Sequence, residues 1–499
     1  MERTRGDYMV NNVFKNEFKY IQDNINLPNE EIRWSSVGLS NIVDKDFRLE
    51  ASVYDIEGKT VRSILSLCKW ELTTISGENG LSDAYHRARF KRIWVEKSDY
   101  PIYQPSQVTE INPKPTNFIS EKTNTDIESL RVKKGQLLLT CSGTIGNCTV
   151  VSDSLDNKIF SHDLIRINFH SKYDCGYTYA FLKTKIGKVL LNTNSYGAVI
   201  SHIEPEHLDN IPIPNPPDNI KKQIHDDIIK SFELRDLSNL LIEEAESILI
   251  TELKLPPIEE MGEDYFDCTE KLRSYSVKLS DLNLRIDASN HIPIVDALLT
   301  HLHSNSKEVI KVGDERLSKA VFLPGRFKRI YVEEGQGTAF FGGKQITELA
   351  PSADKYLSFN QHTERLKNEL LLKENSILIS RSGTIGKLAL VPKHWEGWSA
   401  SEDLIRIFPS SNKVAGYLYS FLNSPYGQKI IERFIYGSVQ DHVEDIHVRQ
   451  IEIPIINDDN KFLQINNLIL EANSNRFEAY KLEQRAINMV YDEVINKKD

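Results

Sequence analysis

The chain has 499 residues, 40% apolar and 26% charged, the proportions of a folded globular protein and not of a disordered tail, a collagen or a small disulfide scaffold. That length exceeds one ordinary core, so two to four domains are expected; no apolar run reaches the eighteen or so residues of a membrane span, and residues 1–10 lack the apolar stretch of a secretory leader. The net charge of −10 is local: ten acidic side chains between Glu243 and Glu270 face only Lys254, so the rest of the chain is nearly neutral and free to carry basic patches.

In chain order, residues 1–30 have no counterpart later in the sequence and receive no role. A mixed segment of short strand signals and helical spacings follows over 31–216, and nearly every feature in it recurs. RLEAS (48–52) returns as RIDAS (285–289), and RFKRIWVE (89–96) as RFKRIYVE (326–333). SGTIG (142–146) returns unchanged at 382–386, SHDLIRI (161–167) as SEDLIRI (401–407), and GYTYAFL (176–182) as GYLYSFL (416–422). Preserved order and spacing mean a tandem duplication. GQLLLT (135–140) and NSILIS (375–380) read as β runs entering a Gly-bounded turn. LIRIN (164–168) alternates as a half-buried strand would, and each mixed segment closes on a proline-bearing strand, IPIPNPP (211–217) or IEIPI (451–455).

Each copy then continues into a long helix, expected over 217–255 and again over 457–499, with an acidic linker at 256–271 and the second mixed domain at 272–456. In the second helix Ile465, Leu468, Ala472, Asn475, Ala479, Leu482, Ala486 and Met489 alternate by three and four, a heptad seam with one polar insertion. In the first, Ile220, Ile224, Leu234, Leu241, Ala245 and Ile248 keep looser spacing. About 35 residues at 1.5 Å each make a rod of roughly 50 Å. The expected fold is therefore mixed α/β: two tandem domains, each followed by a rod, with the rods pairing as an antiparallel coiled coil of pseudo-two-fold symmetry. Helix pairing is assigned to Ile224, Leu241, Ala245, Ile248, Ile465, Leu468, Ala472, Ala479, Leu482 and Ala486. A duplex of DNA has the same dyad, so two such domains would hold half-sites at a spacing the protein fixes.

The duplicated domains, their Ile-Pro-type closing strands and the helices behind them resemble the specificity (S) subunits of type I restriction–modification enzymes, over nearly the whole chain after residue 30. The glutamine usual in that family shortly after the prolines is Gln223 and, more loosely, Gln464. The resemblance implies two target-recognition domains with spacer helices and a chain that is not itself an enzyme. It would bind double-stranded DNA at an asymmetric bipartite target and hold two methyltransferase (M) subunits that use S-adenosylmethionine to methylate adenine. Restriction (R) subunits, using ATP and Mg, would join for cleavage in phage defence. No cofactor or metal is expected on this chain and no membrane partner; the scattered cysteines, Cys68, Cys141, Cys148, Cys175 and Cys268, without a C-x-x-C, suit reduced thiols in the cytoplasm.

Two classes of DNA contact are expected. Residues 97–134 and 334–374 have almost nothing in common at the level of sequence, and a segment that varies on a retained frame is where bases would be read. Tyr103, Gln104, Gln107 and Asn117 in the first, with Gln336, Phe341, Lys344 and Gln345 in the second, are the candidates for base readout. The retained residues are candidates for the phosphate backbone, which carries no sequence information: Arg87, Arg89, Lys91 and Arg92 with Arg326, Lys328 and Arg329, the turn residues Ser142, Thr144, Ser382 and Thr384, and the loop residues Tyr196 and Tyr436. On a strand, Arg89 and Lys91 would point one way, Phe90, Arg92 and Trp94 the other.

Rival readings are a scaffold of a related DNA-methylation-based defence system and a fused methyltransferase or nuclease. The turn SGTIG lacks the spacing of a phosphate loop. In NPPD (215–218) Asp218 stands where an amino-methyltransferase would carry a base-stacking aromatic. No carboxylate, His or Cys cluster suggests a metal.

Overall fold

The computed structural model describes residues 36–43, 47, 49, 51–197, 201–258, 260–261, 275–282, 285–351, 353, 355–437 and 441–496. The expected N-terminal extension, Arg48, Cys268 and most of the expected acidic linker lie outside them. The fold is mixed α/β and divides into two compact units, residues 1–236 with 479–499, and residues 237–478. The boundary falls within both long helices, Asp218–Glu252 and Asp459–Met489.

The first unit holds two four-stranded sheets and a two-stranded ribbon. One sheet runs in the order Ser82–Tyr85, Leu164–Phe169, Leu137–Thr140, Cys148–Val150, all antiparallel; the other runs Trp94–Val95, Asn117–Ile119, Pro101–Tyr103, Ile159–Phe160, with a parallel last pair. The ribbon pairs Leu72–Thr74 with the closing strand Pro212–Pro214. The second unit repeats this plan. Its sheets run Ser318–Phe322, Leu404–Pro409, Ile377–Ser380, Leu388–Leu390 and Tyr331–Val332, Tyr356–Ser358, Gly337–Phe341, Ser399–Ala400, and its ribbon pairs Glu308–Lys311 with Glu452–Ile455. Even the register repeats: Leu137 faces Ile167 and Ile377 faces Ile407.

One expectation about these strands is corrected. LIRI is not half-buried: all four residues are buried in both copies, the arginine included. The strand lies inside its sheet with both faces covered, and the arginine is held by carbonyls, while Nε and Nη1 of Arg166 and Nε of Arg406 are buried without a partner. Arg166 Nη2 donates to Leu130 O and Phe160 O, each at 3.1 Å; Arg406 donates through Nη1 to Leu404 O at 2.6 Å and Ser401 O at 3.1 Å, and through Nη2 to Ala400 O at 2.6 Å. Because Phe160 and Ala400 belong to the other sheet, each guanidinium fastens one sheet to its neighbour. Burial lowers both pKa values to about 10.

The GYxYxFL helix explains itself in the same way. The hydroxyls of Tyr177 and Tyr417 donate to Pro214 O (2.5 Å) and Pro454 O (2.6 Å), tying the helix to the closing strand. The glycine is where the long helix crosses: a Cβ on Gly176 would lie 2.7 Å from His225 Cα, and one on Gly416 would lie 2.2 Å from Asn466 O. The freed backbone N–H donates to His225 Nδ1 (3.2 Å) in one copy and Asn466 Oδ1 (2.9 Å) in the other.

In the second unit Leu241, Ala245, Ile465 and Ala472 share one core with the sheet residues Ile377, Ile405 and Ile407, and Ile248 and Leu468 pack against it. In the first unit Ile224, Ala479 and Ala486 are fully buried and Leu482 partly so. Within that unit the two long helices are also joined by charge, through Asp227 with Arg485 and Arg235 with Glu483.

Candidate nucleic-acid interface

The RFKR block is extended but is not a strand. Regular pairing starts only at Trp94–Val95 and Tyr331–Val332, which form the edge of the smaller sheet in each unit. The side chains still alternate. Arg89, Lys91, Arg326 and Lys328 are exposed and have no ion-pair or hydrogen-bond partner among the described residues, whereas Arg92 and Arg329 turn inward. Arg92 Nη2 donates to Asp163 Oδ2 (2.7 Å) and Ser161 Oγ (2.6 Å); Arg329 Nη2 donates to Glu402 Oε1 (2.7 Å). Each guanidinium is held through Nη2 inside its own unit and is neutralised by a carboxylate there, so Arg92 and Arg329 serve the scaffold before they serve a phosphate. Arg87 is half-buried, its guanidinium 5.1 Å from the Tyr85 ring.

The SGTIG turn uses glycine's freedom at positive φ, +74° and +87° at Gly143 and Gly146, +75° and +81° at Gly383 and Gly386. The preceding strand closes it: Thr140 Oγ1 donates to Thr144 O (2.6 Å) and Ser380 Oγ to Thr384 O (2.5 Å). That leaves the side chains of Thr144 and Thr384 exposed at the tip. Ser142 Oγ lies 3.0 Å from His202 Nδ1, and Ser382 is bridged to His442. Each histidine also exchanges backbone hydrogen bonds with Tyr196 or Tyr436. The tyrosine hydroxyls are not free to meet a phosphate as expected: Tyr196 donates to Glu204 Oε1 at 2.7 Å and Tyr436 to Glu444 Oε1 at 2.6 Å. The Glu204 carboxylate pushes the Tyr196 phenol up to about 12, and burial with Glu444 raises that of Tyr436.

The two segments, dissimilar in sequence, share their strands and first turn, and differ after the third strand, where Phe359–Arg365 is helical and the first unit has only the short turn Glu128–Leu130. Tyr103 and Phe341 occupy the same place, the inner end of the strand that pairs in parallel with Ile159–Phe160 or Ser399–Ala400. Both are buried, Tyr103 stacked on Phe160 (5.0 Å) and Phe341 edge-on to Trp398 (4.8 Å). Gln107 and Gln345 are matched as well, each accepting a backbone N–H through Oε1, from Gln104 at 2.8 Å and Gly342 at 2.7 Å. Buried aromatic cores and amides that close a turn cannot reach a base edge, so Tyr103, Phe341, Gln107 and Gln345 are reassigned to the frame. A four-residue spacing from aromatic to glutamine in both copies carried that signal. Asn117, Gln336 and Lys344 are exposed and remain in position for readout, whereas Gln104 is half-buried with its Nε2 buried and unpartnered.

Sequence reasoning missed the cleft beside the basic block. In the first unit Arg89, Phe90, Lys91, Arg92, Trp94, His162 and Asp163 line a cavity of about 540 Å³. His162 is buried against Phe90 (5.0 Å) with its Nε2 3.1 Å from Asp163, its Nδ1 unpartnered, and its pKa held below the ordinary value by burial. In the second unit the matching position is Glu402, which takes the Arg329 ion pair, and the edge contact to Phe327 comes instead from His362 at 5.3 Å. Among the described residues no group of His, Cys, Asp and Glu could hold a metal ion, and no helix is long and apolar enough to cross a membrane.

The family model for the type I restriction modification DNA specificity domain matches residues 87–247 and 338–478. Among solved structures the chain is similar to a type I restriction–modification system S subunit from M. genitalium, at 13% identity, covering 85% of this chain and 96% of that one with a TM-score of 0.31. It is also similar to the HsdS subunit from Thermoanaerobacter tengcongensis, at 13% identity, 79% and 91% coverage and a TM-score of 0.25. At these scores the likeness places no residue. No curated protein matches the sequence significantly. The two stretches that the family model matches span more than half of the chain, and on that ground the protein belongs to the type I restriction modification DNA specificity domain family.

Proposed function

We propose that the chain reads an asymmetric bipartite DNA sequence, one half-site per domain, and carries two methyltransferase subunits and, through them, restriction subunits. A specificity subunit has no active site of its own, and catalysis lies in its partners. On this reading S-adenosylmethionine, ATP and Mg belong to those partners. The two long helices pair as an antiparallel coiled coil, set the gap between half-sites and present the surfaces that the methyltransferases meet.

One observation supports the reading most directly: the same two exposed, unpaired cations stand at matching places in both units, Arg89 and Lys91, Arg326 and Lys328. A cation kept out of ion pairs twice over suits phosphates, whose contacts are independent of sequence and give salt-dependent affinity. Discrimination is left to side chains on the divergent segments, at about 1–3 kcal/mol for each bidentate base contact. Selection of bound duplexes from a randomised library, with the methyltransferase partner present and absent, tests the proposal. Two enriched blocks separated by a fixed gap are expected; a library returned without enrichment under both conditions overturns it.

A further inference from the structure

An exposed aromatic side chain recurs at one place in both units. Trp94 is 49% exposed and Tyr331 is 40% exposed, and their neighbours Ile93 and Ile330 are exposed too. A large apolar side chain alone at the surface is ordinary, but a cluster kept at matching positions of a duplicated fold marks a surface that meets something. Both aromatics sit on two-residue strands at a sheet edge, held by matching pairs, Trp94 with Ile119 and Tyr331 with Leu357. Neither ring is free to fold away. The Arg92 guanidinium lies 5.8 Å from the Trp94 ring, and Tyr331 leans edge-on against Phe340 at 6.0 Å with the Lys355 ammonium 5.3 Å from its ring.

What the patch meets is indicated by its rim. The unpaired Arg89 and Lys91 precede the first aromatic and Arg326 and Lys328 the second, so an anionic occupant with an apolar face is called for. A protein interface core excludes unpaired charge. A nucleic acid supplies both features, phosphates for the cations and base faces for the ring. The cleft of about 540 Å³ beside Trp94 leaves the ring room on one side.

We infer that Trp94 and Tyr331 are apolar wedges, each pressed into double-stranded DNA beside the phosphates held by the neighbouring cations, opening one base step at each half-site. The inference rests on the DNA-reading function proposed above and adds to it a contact that distorts the duplex without reading a base. Such wedges trade the cost of unstacking for a bent duplex that covers more protein surface.

The full chain with its methyltransferase partner, bound to the library-selected duplex carrying 2-aminopurine at successive positions, provides the test. Besides the adenines that a methyltransferase extrudes, fluorescence is expected to rise at one further position in each half-site. Trp94→Ala removes the first of these and Tyr331→Ala the second, each weakening binding by roughly 10- to 50-fold, while Trp94→Phe retains both signals. Because the Tyr331 side chain also bonds Arg329, Tyr331→Phe, which keeps the ring and removes only the hydroxyl, is expected to retain the second signal and separates the wedge from that bond. Alanine variants that bind with unchanged affinity and an unchanged fluorescence profile overturn the inference. So do alanine variants that lose the methyltransferase subunits on gel filtration while keeping that profile. Failure of the unaltered protein to select any duplex instead removes the DNA-reading function itself.

Discussion

The Arg235 guanidinium donates to the Glu483 carboxylate at 2.5 Å with both groups buried, and the Tyr179 hydroxyl donates to the other carboxylate oxygen at 2.6 Å. Three elements of the first unit, the middle of one long helix, the end of the other and the GYxYxFL helix, therefore meet at one charged point. Removing one partner of such a pair strands the other, at a cost of about 3–5 kcal/mol. Glu483→Ala is expected to lower the melting temperature of this unit by roughly 10 °C, at 2–4 °C per kcal/mol for a body of this size. The double variant Arg235→Met with Glu483→Leu is expected to recover most of that loss by calorimetry. An additive double variant would show that the pair carries no such coupling.

The same carboxylate makes stability depend on acid. Although burial opposes it, Arg235 holds the Glu483 carboxyl below the usual carboxylate value of 4.5. The unfolded chain thus takes up this proton first, and the stabilisation is present above the ordinary carboxylate range and lost as pH falls through the folded value. His162, His225, His362 and His447 act in the same direction at higher pH, because burial leads the causes that lower each below 6.5. Urea titrations are expected to give lower stability at pH 5 than at pH 7. Replacing Glu483 with glutamine is expected to flatten the curve below pH 4.5 while leaving the histidine-dependent part that sets in as pH falls through 6.5.

The carbonyl-bound arginines make a sharper demand on shape. Arg166→Met keeps the volume but leaves Leu130 O and Phe160 O without their donor, at about 1–3 kcal/mol for each stranded group. Arg166→Lys supplies charge without the planar fork. Both are expected to destabilise the first unit by about 3 kcal/mol, and Arg406→Met the second. A methionine variant melting with the parent protein would show that the guanidinium is not the clasp between sheets.

These arginines also mark how far the sequence could be read. The duplication was legible because motif order and spacing, turn glycines and closing prolines all repeat; in GYxYxFL the retained glycine proved to be where the long helix crosses and the first tyrosine the tie to the closing strand. LIRI misled because alternation reports polarity, and an arginine whose Nη atoms reach carbonyls lies buried in the sheet even with its Nε unpartnered. The readout set misled for a related reason. Tyr103 and Phe341 differ in identity, but the strand that carries them is the same, and a frame that tolerates substitution looks variable. Glu483 lay one position from the expected seam residue Leu482, and nothing in a heptad pattern announces a buried carboxylate whose partner is 248 residues away.

The corrected readout surface restricts what an exchange of specificity must contain. Swapping residues 97–134 for another segment is expected to change only one half of the recognised sequence, provided the incoming segment keeps an aromatic at 103 and a glutamine at 107. Loss of either opens the frame and costs folding, read as a lower melting temperature, before it alters sequence choice. A change in both halves of the selected sequence would show that the two units do not read independently.

Arg89 and Arg92 are three residues apart and are expected to behave as opposites. Arg89 is exposed without a partner, whereas Arg92 is held by Asp163 at 2.7 Å and Ser161 at 2.6 Å. Each phosphate contact contributes about 0.9 to the slope of log affinity against log salt. Arg89→Gln with Lys91→Gln is therefore expected to reduce the slope by about 2 with the melting temperature and the selected sequence unchanged. Arg92→Gln is expected to leave the slope unchanged and lower the melting temperature slightly, because it removes the bonds that tie the basic block to Asp163 and Ser161. Equal slopes for the two variants would mean that inward and outward positions of the basic block serve the same role, and the assignment of Arg89 and Lys91 to the phosphates would fall.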